Sequence, residues 1–429
     1  MTATARRSTP AGLPVLAWAT LAVVGWTMIA WLAVQLFAAK PPSAGFDLEL
    51  LLKAGRDVAA GRSPYDPALL GGAAPDATGL FFSYPPLVAQ ALAPFAGIPS
   101  GLMFAAWAAV AVGSLVAVTE QLRRVTRPAV SSGTAAIAVV AVASLTFPFV
   151  VAVLFGNLDA FFPALYGLAL VAAVSPSRRD QVAGGLAIAI AALAKLYPAG
   201  LGLWFAIRAL RAGRGRRAEG RRLAVIVASG LASGIALFAL SIVVGGLGPW
   251  REYLTVASVA SQAELVDPKN VGPAAQLALL VGADSGLARA VHVGVAGAAV
   301  LVIVWAAWRR RDRVESLAIA AAATLVLLPV SWIHYPAAMI PFGAAAVMRS
   351  TGRPSGRRAG LLAAAAVLMA VIALAWLPLM WLAVLLCLAA VHVSAEEGAT
   401  DADRVEGDAG GASDAEDAAP LVSPGAAAR

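Results

Sequence analysis

A lone cysteine, Cys387, among 429 residues rules out a disulfide framework, so non-covalent packing must hold this chain together. Charge is scarce too. Asp, Glu, Lys and Arg make up 13% of the residues, against about 25% in a soluble domain. Lysine occurs four times beside 28 arginines, and histidine three times. Hydrophobic residues fill the gap, at 60% of the chain with a mean hydropathy of +0.80. Apolar runs recur that are long enough to cross a hydrocarbon core of about 30 Å. The first, 13–39, exceeds the roughly 7–15 residues of a signal-peptide core and has no clear cleavage site, so it is read as a span. The expected fold class is an all-α polytopic membrane protein with about 10–12 transmembrane helices.

The net charge of +8 would point to nucleic acid in a soluble chain. Here the arginines are parcelled between spans, which makes them a topology signal, and no nucleic-acid partner is expected. Arg6-Arg7, Arg123-Arg124 with Arg127, Arg178-Arg179, the run 208–222, 309–313 and 349–358 should face the cytoplasm. The loops 40–83, 155–158, 247–272, 282–287 and 331–335 then face outward. Between Arg179 and Arg208 one apolar run is broken by Lys195-Leu196-Tyr197-Pro198, which predicts a broken hairpin. Pro378 divides 360–393 in the same way. Residues 1–393 form the membrane domain. The tail 394–429 holds nine of the 24 acidic residues without hydrophobic periodicity, and disorder is expected for it.

The first outer loop, 40–83, is the longest polar excursion. After the Lys40-Pro41-Pro42 break, Leu48, Leu51, Leu52, Gly55 and Val58 recur at helical spacing opposite Glu49, Lys53, Arg56 and Asp57. That pattern predicts an amphipathic helix lying along the membrane surface. Asp47 stands at its start. It reads either as the helix N-cap, with Phe46 and Leu51 as a hydrophobic staple, or as a carboxylate presented to chemistry at the interface. The two roles are compatible.

Other polar residues stand out against the apolar background. Lys195 is the only lysine inside a hydrophobic run, which makes it a functional candidate, with snorkelling to headgroup water as the plain alternative. His334 lies in a tight turn beside Trp332 and Tyr335, so it is either a hydrogen-bond donor to substrate or an interfacial histidine. Asn157 can cap the next helix or contact a sugar, and Asp159 adds a second carboxylate. Tyr65, Tyr84 and Trp332 are stacking platforms or interface anchors. His292 and His392 sit in apolar runs without polar company and read as packed or interfacial. No Asp-x-Asp pair or other carboxylate cluster marks the outer side, so neither a cofactor nor a divalent metal is expected.

The order of Phe46-Asp47-Leu48, Gly61-x-Ser63-Pro64-Tyr65-Asp66, Tyr84-Pro85-Pro86-Leu87, Phe155-Gly156-Asn157, Leu193-Ala194-Lys195-Leu196-Tyr197-Pro198 and Ser331-Trp332-Ile333-His334 resembles a known family. It is similar to the polyprenol-phosphate-mannose-dependent mannosyltransferases of actinobacteria, glycosyltransferase family 87, which have the GT-C membrane fold. The resemblance covers roughly 15–390. It implies a multi-pass plasma-membrane enzyme with an extracytoplasmic site, a polyprenyl-phosphate sugar donor and a mannosylated lipid or glycan acceptor amid membrane lipids. It implies inverting transfer with Asp47 as general base, and with Lys195 and His334 at the donor phosphate. Two alternatives remain: a different polyprenyl-phosphate sugar, or a lipid or solute transporter. A transporter should carry its polar residues near the bilayer midplane on broken helices, whereas these cluster at the outer ends of spans.

Overall fold

The computed structural model describes residues 12–39, 44–72, 81–126, 130–213, 217–282, 284–349, 355–371 and 376–416. The Lys40-Pro41-Pro42 break, Arg6-Arg7, Arg127 and residues 417–429 lie outside them. Every regular element among the described residues is helical. Helix α1 (Gly12–Ala38) is followed by three short elements, α2 (Phe46–Ala59), α3 (Pro67–Leu70) and α4 (Pro86–Leu92). Long α5 (Ser100–Thr126) leads to α6 (Ser132–Leu145) and α7 (Phe147–Phe155), which meet at a bend of 80°. A 3-10 turn, Leu158–Phe161, opens α8 (Phe162–Val174). Next come α9 (Arg178–Ala194), α10 (Ala199–Gly213), α11 (Arg217–Gly245), α12 (Gly248–Ala263), α13 (Pro273–Val281), α14 (Ser285–Arg309) and α15 (Arg313–Thr324). A second 3-10 turn, Tyr335–Met339, precedes α16 (Ile340–Met348), and α17 (Gly356–Val371) and α18 (Met380–Glu416) complete the chain.

Among the described residues, five helices are long and apolar enough to cross a membrane, or up to six if the bent α6–α7 pair is one span. The protein is thus an all-α polytopic membrane protein. Shorter apolar helical stretches accompany these long helices, among them Leu158–Val174 and Tyr335–Met348. Several apolar runs are cut short by Pro, as at Pro148, Pro163, Pro336 and Pro341. A helix end inside a bilayer is tolerated where protein covers its free backbone groups. Helix α8 shows this cover, with residues from Phe162 to Ala173 buried among neighbouring helices. It lies at the centre of the main core, which draws on α5, α10, α15, α16 and α18.

Two polar ends cap this core. At the far end of α8, the Ala173 carbonyl accepts a bond from Arg313, whose guanidinium also meets Glu219 at 3.0 Å. Asp312 pairs with Arg349, and buried Arg358 pairs with Glu397 at 2.8 Å. Arg208 donates to the carbonyls of Arg310 and Arg311. The arginine patches at the C-terminal ends of α10 and α14 and the N-terminal ends of α15 and α17 therefore gather on one side. His392 belongs to this end as well. It lies 2.9 Å from Glu315 and 3.2 Å from Glu396, so the expectation that it lacks polar company is corrected. Glu396 is its i+4 neighbour, whereas Glu315 arrives only through packing of α15 on α18.

The hairpin expected around Pro378 forms, with α17 packed on α18. Helix α18 continues into 394–416, anchored at its start by buried Ser394 and by the Glu397 pair. Alanine and glutamate are strong helix formers, and a helix already nucleated by a buried segment extends at low cost.

Helix α2 forms as its spacing predicts, with Leu48, Leu51, Leu52, Ala54 and Gly55 buried. Its apolar face does not rest on lipid. It packs on Val88, Ala89 and Leu92 of α4, in a second core that includes Tyr253 and Val256 of α12. On the exposed face Arg56 pairs with Glu49, and Asp57 with Lys53 and Arg62.

Candidate active site

The start of α2 is placed by backbone. Gly45 is the N-cap with φ +67°, and its N–H donates to the Leu154 carbonyl at 2.8 Å. Gly156, at φ +69°, closes α7, and a Cβ there would collide with the Leu48 Cβ. Only glycine both adopts this backbone readily and allows so close an approach. The Phe46 and Phe155 rings meet at 4.3 Å between centroids. The first turn of α2 is thus locked to the turn between α7 and α8.

This docking decides the position of Asp47. It is not the N-cap, and Gly45 makes no side-chain cap bond. The Asp47 carboxylate instead accepts a hydrogen bond from Asn157 Nδ2 at 2.6 Å. The same Nδ2 lies 3.3 Å from the Tyr84 hydroxyl. Asn157 Oδ1 accepts from the Asp159 N–H at 3.0 Å and from Lys195 Nζ at 3.3 Å. One amide therefore caps the 3-10 turn, as its position suggests, and also joins Asp47 to Lys195.

Lys195 occupies the break between α9 and α10, in an extended conformation that ends the helix. Its ammonium lies 2.6 Å from Asp159 Oδ2 and over the rings of Tyr84 and Tyr335, at 5.3 and 5.0 Å. It is only 8% exposed, so it does not snorkel to water. His334 Nε2 approaches the same Asp159 oxygen at 2.8 Å. Neither imidazole nitrogen completes a well-aligned hydrogen bond among the described residues, although the ring is buried. Buried donors left unsatisfied in this way are rare in native proteins and suit a polar ligand. Burial pushes the Asp47 carboxyl above the usual carboxylate range, Asn157, His334 and Lys195 oppose that rise, and Asp159 adds to it.

Of the residues singled out from sequence, Asp47, Tyr84, Asn157, Asp159, Lys195 and His334 converge on this cluster. Two do not join it. Tyr65 is buried in the second core, and its hydroxyl donates to the Tyr84 carbonyl at 2.9 Å, so it positions Tyr84 rather than stacking on a ligand. Trp332 is half-buried against the main core, with no hydrogen bond to the cluster among the described residues. Two aromatic members were missed. The Tyr197 hydroxyl donates to Asp159 Oδ1 at 3.2 Å, and Tyr335 stacks on Tyr197 with centroids 4.6 Å apart. Their signal was adjacency, since each lies within two residues of Lys195 or His334.

Asn270 was also missed. It is fully buried, and its Nδ2 donates to the carbonyls of Glu264, Leu265 and Pro329. Its Oδ1 accepts from the N–H groups of Gly272 and Ser331. This side chain ties the loop after α12 to the segment that carries His334. Beside the start of α2 lies a cavity of about 600 Å³ lined by Phe37, Phe46, Leu48, Leu50, Phe104 and Lys53.

The structure is thus a helical membrane bundle with a buried cluster of carboxylates, lysine and histidine at one end. The model of Glycosyltransferase family 87 matches residues 81–331, more than half of the chain, and the chain belongs to that family. It is therefore a membrane glycosyltransferase. The matched region contains Tyr84, Asn157, Asp159 and Lys195, whereas Asp47 and His334 lie on either side of it. No curated protein matches the chain.

Proposed function

We propose that this glycosyltransferase moves a mannosyl residue from polyprenyl-phosphate mannose to a hydroxyl of a lipid-linked mannoside or glycan. The reaction takes place at the extracytoplasmic face of the plasma membrane, the end opposite the arginine patches. Asp47 takes the proton from the attacking hydroxyl, whose oxygen forms the new bond to the anomeric carbon. The bond from that carbon to the phosphate oxygen breaks with inversion, and its electron pair leaves on the lipid phosphate. A β-linked donor thus gives an α-linked product. Lys195 and His334 receive the phosphate, and Asp159 holds both side chains in place.

The observation that carries this reading is the Asp47 carboxylate, buried and held by one amide next to a lysine and a buried imidazole that both approach Asp159. Burial raises its proton affinity, which is what a base acting on a hydroxyl requires. The apolar walls of the cavity beside α2 suit a hydrocarbon chain. Purified protein in liposomes, supplied with polyprenyl-phosphate mannose and a mannosylated phosphatidylinositol, should transfer mannose, with GDP-mannose inert. Asp47→Asn should reduce the rate by at least about 10²-fold. Full activity in that variant sinks the base assignment, and transfer only from another polyprenyl-phosphate sugar corrects the donor. No metal takes part in this scheme, so EDTA should leave the rate unchanged; a loss restored by Mg²⁺ or Mn²⁺ would refute that element.

A further inference from the structure

The first turns of α14 carry Arg289 and His292 at i, i+3 spacing, which puts both on one face of the helix. They line a cavity of about 210 Å³ together with Ser258, Ser261 and Gln262 of α12. Leu265 and Pro329 complete the wall. Leu265 packs with Ala288 of α14, and the carbonyls of Leu265 and Pro329 both accept from Asn270 Nδ2. The cavity is therefore held by the same buried asparagine that fixes the segment leading to His334.

Its chemistry is one-sided. Among the described residues Arg289 and His292 make no hydrogen bond or ion pair, and no carboxylate lines the cavity. The Ser258 hydroxyl accepts from Gln262 Nε2 at 3.3 Å, which leaves its own proton free to donate. Donors gathered without an acceptor suit an anion. His292 thus has polar company from a second helix, which its own apolar run did not show. Position decides the kind of anion. Helix α14 has 25 residues, and its length of about 37 Å exceeds the roughly 30 Å of hydrocarbon, so its first turns reach head-group depth. Leu287 and Val293 on the same turns are exposed and offer apolar surface to acyl chains.

We infer that this cavity binds the phosphodiester of an anionic lipid head group, with Arg289, His292 and Ser258 donating to its oxygens. Arginine meets phosphate through charge-assisted bonds, often two in parallel. The lipid is either the acceptor or a phospholipid of the surrounding leaflet, and both offer the same phosphodiester.

Native mass spectrometry of the full-length protein in detergent, titrated with phosphatidylinositol, reads this binding without turnover. Arg289→Gln should weaken it by at least about fivefold. Arg289→Lys keeps the charge and should stay within about threefold of wild type. Arg178→Gln, at the opposite end of the bundle, should bind as wild type does. His292→Asn should weaken binding as well, and it carries the test if Arg289→Gln fails to fold. Wild-type affinity in both cavity variants, equal loss in Arg178→Gln, or diacylglycerol bound as tightly as phosphatidylinositol overturns the inference. Inorganic phosphate should not displace the lipid, and displacement would assign the cavity to a soluble phosphate instead. In the transfer assay, a raised KM for the mannosylated acceptor in Arg289→Gln at unchanged kcat identifies the acceptor as occupant. An unchanged KM beside weakened binding identifies the leaflet phospholipid. The binding measurement stands even if wild type transfers no sugar, so failure of the proposed reaction and failure of this inference are distinguishable.

Discussion

Asn157 divides one amide between two tasks, giving its N–H to Asp47 and its oxygen to Asp159 and Lys195. Its bond to Asp47 lowers that carboxyl's proton affinity, against a rise caused by burial. Removing the bond in Asn157→Ala should move the acid limb of the kcat/KM profile to higher pH, and an unmoved limb would mean that Asp47 is not the titrating base. The same pKa makes a statement about stability. Asp47 binds its proton more tightly in the folded protein than an unperturbed aspartate does. Its ionised form therefore costs stability above the folded pKa, and that cost fades as pH falls through it. Asp47→Asn should thus melt at or above the wild-type temperature at neutral pH while losing activity. A variant that is both inactive and markedly less stable would count against a primarily chemical role.

At the scale of elements, the position of Asp47 depends on how α2 is seated rather than on α2 itself. Its first turn is gripped by Gly45, Gly156 and the Phe46–Phe155 ring contact. Gly156→Ala places a side chain at φ +69° and drives it into Leu48. We expect a loss of about 1–3 kcal/mol in stability and, because Asp47 adjoins Leu48, a further fall in kcat. Thermal melting and turnover measured on the same preparation check both. The exposed pairs of α2 should behave differently. Lys53→Ala breaks a solvent-facing bridge to Asp57 and should change stability by no more than about 0.5 kcal/mol. The periodicity of 48–58 revealed the helix and its buried face, yet not what covers that face. Spacing reports which residues avoid water, and lipid and protein satisfy that demand equally.

Across the whole molecule, the Asp47 cluster and the arginine-rich end lie at opposite ends of α8, and the proposed topology puts them on opposite faces of the membrane. Ala68 is exposed on the Asp47 side and Ser177 is exposed before α9. Cysteine placed at each position should report the orientation, because native Cys387 is buried and should give little background. In intact cells a membrane-impermeant maleimide should label Ala68→Cys, and it should label Ser177→Cys only after permeabilisation. The reverse pattern would invert the proposed topology. At this scale hydropathy identified the membrane class but not which apolar runs are interior, because the buried centre of a polytopic bundle is as apolar as a lipid-facing helix.

The sequence by itself determined the membrane class, the arginine-rich face, the helix after Asp47 and the break at Lys195. These follow from local quantities: run length, charge placement and the period of apolar residues. It also supplied most members of the site, because a lysine or histidine in so apolar a chain is conspicuous. Tertiary structure alone decided that Asp47 is not a cap, that Lys195 is paired rather than snorkelling, that Tyr65 supports Tyr84 from behind, and that Asn270 joins two distant loops. Each of these is a contact between residues far apart in the chain, such as Asp47 and Asn157 or Asn270 and Ser331. Such partners are selected by the packing of whole helices, which no local pattern of residues encodes.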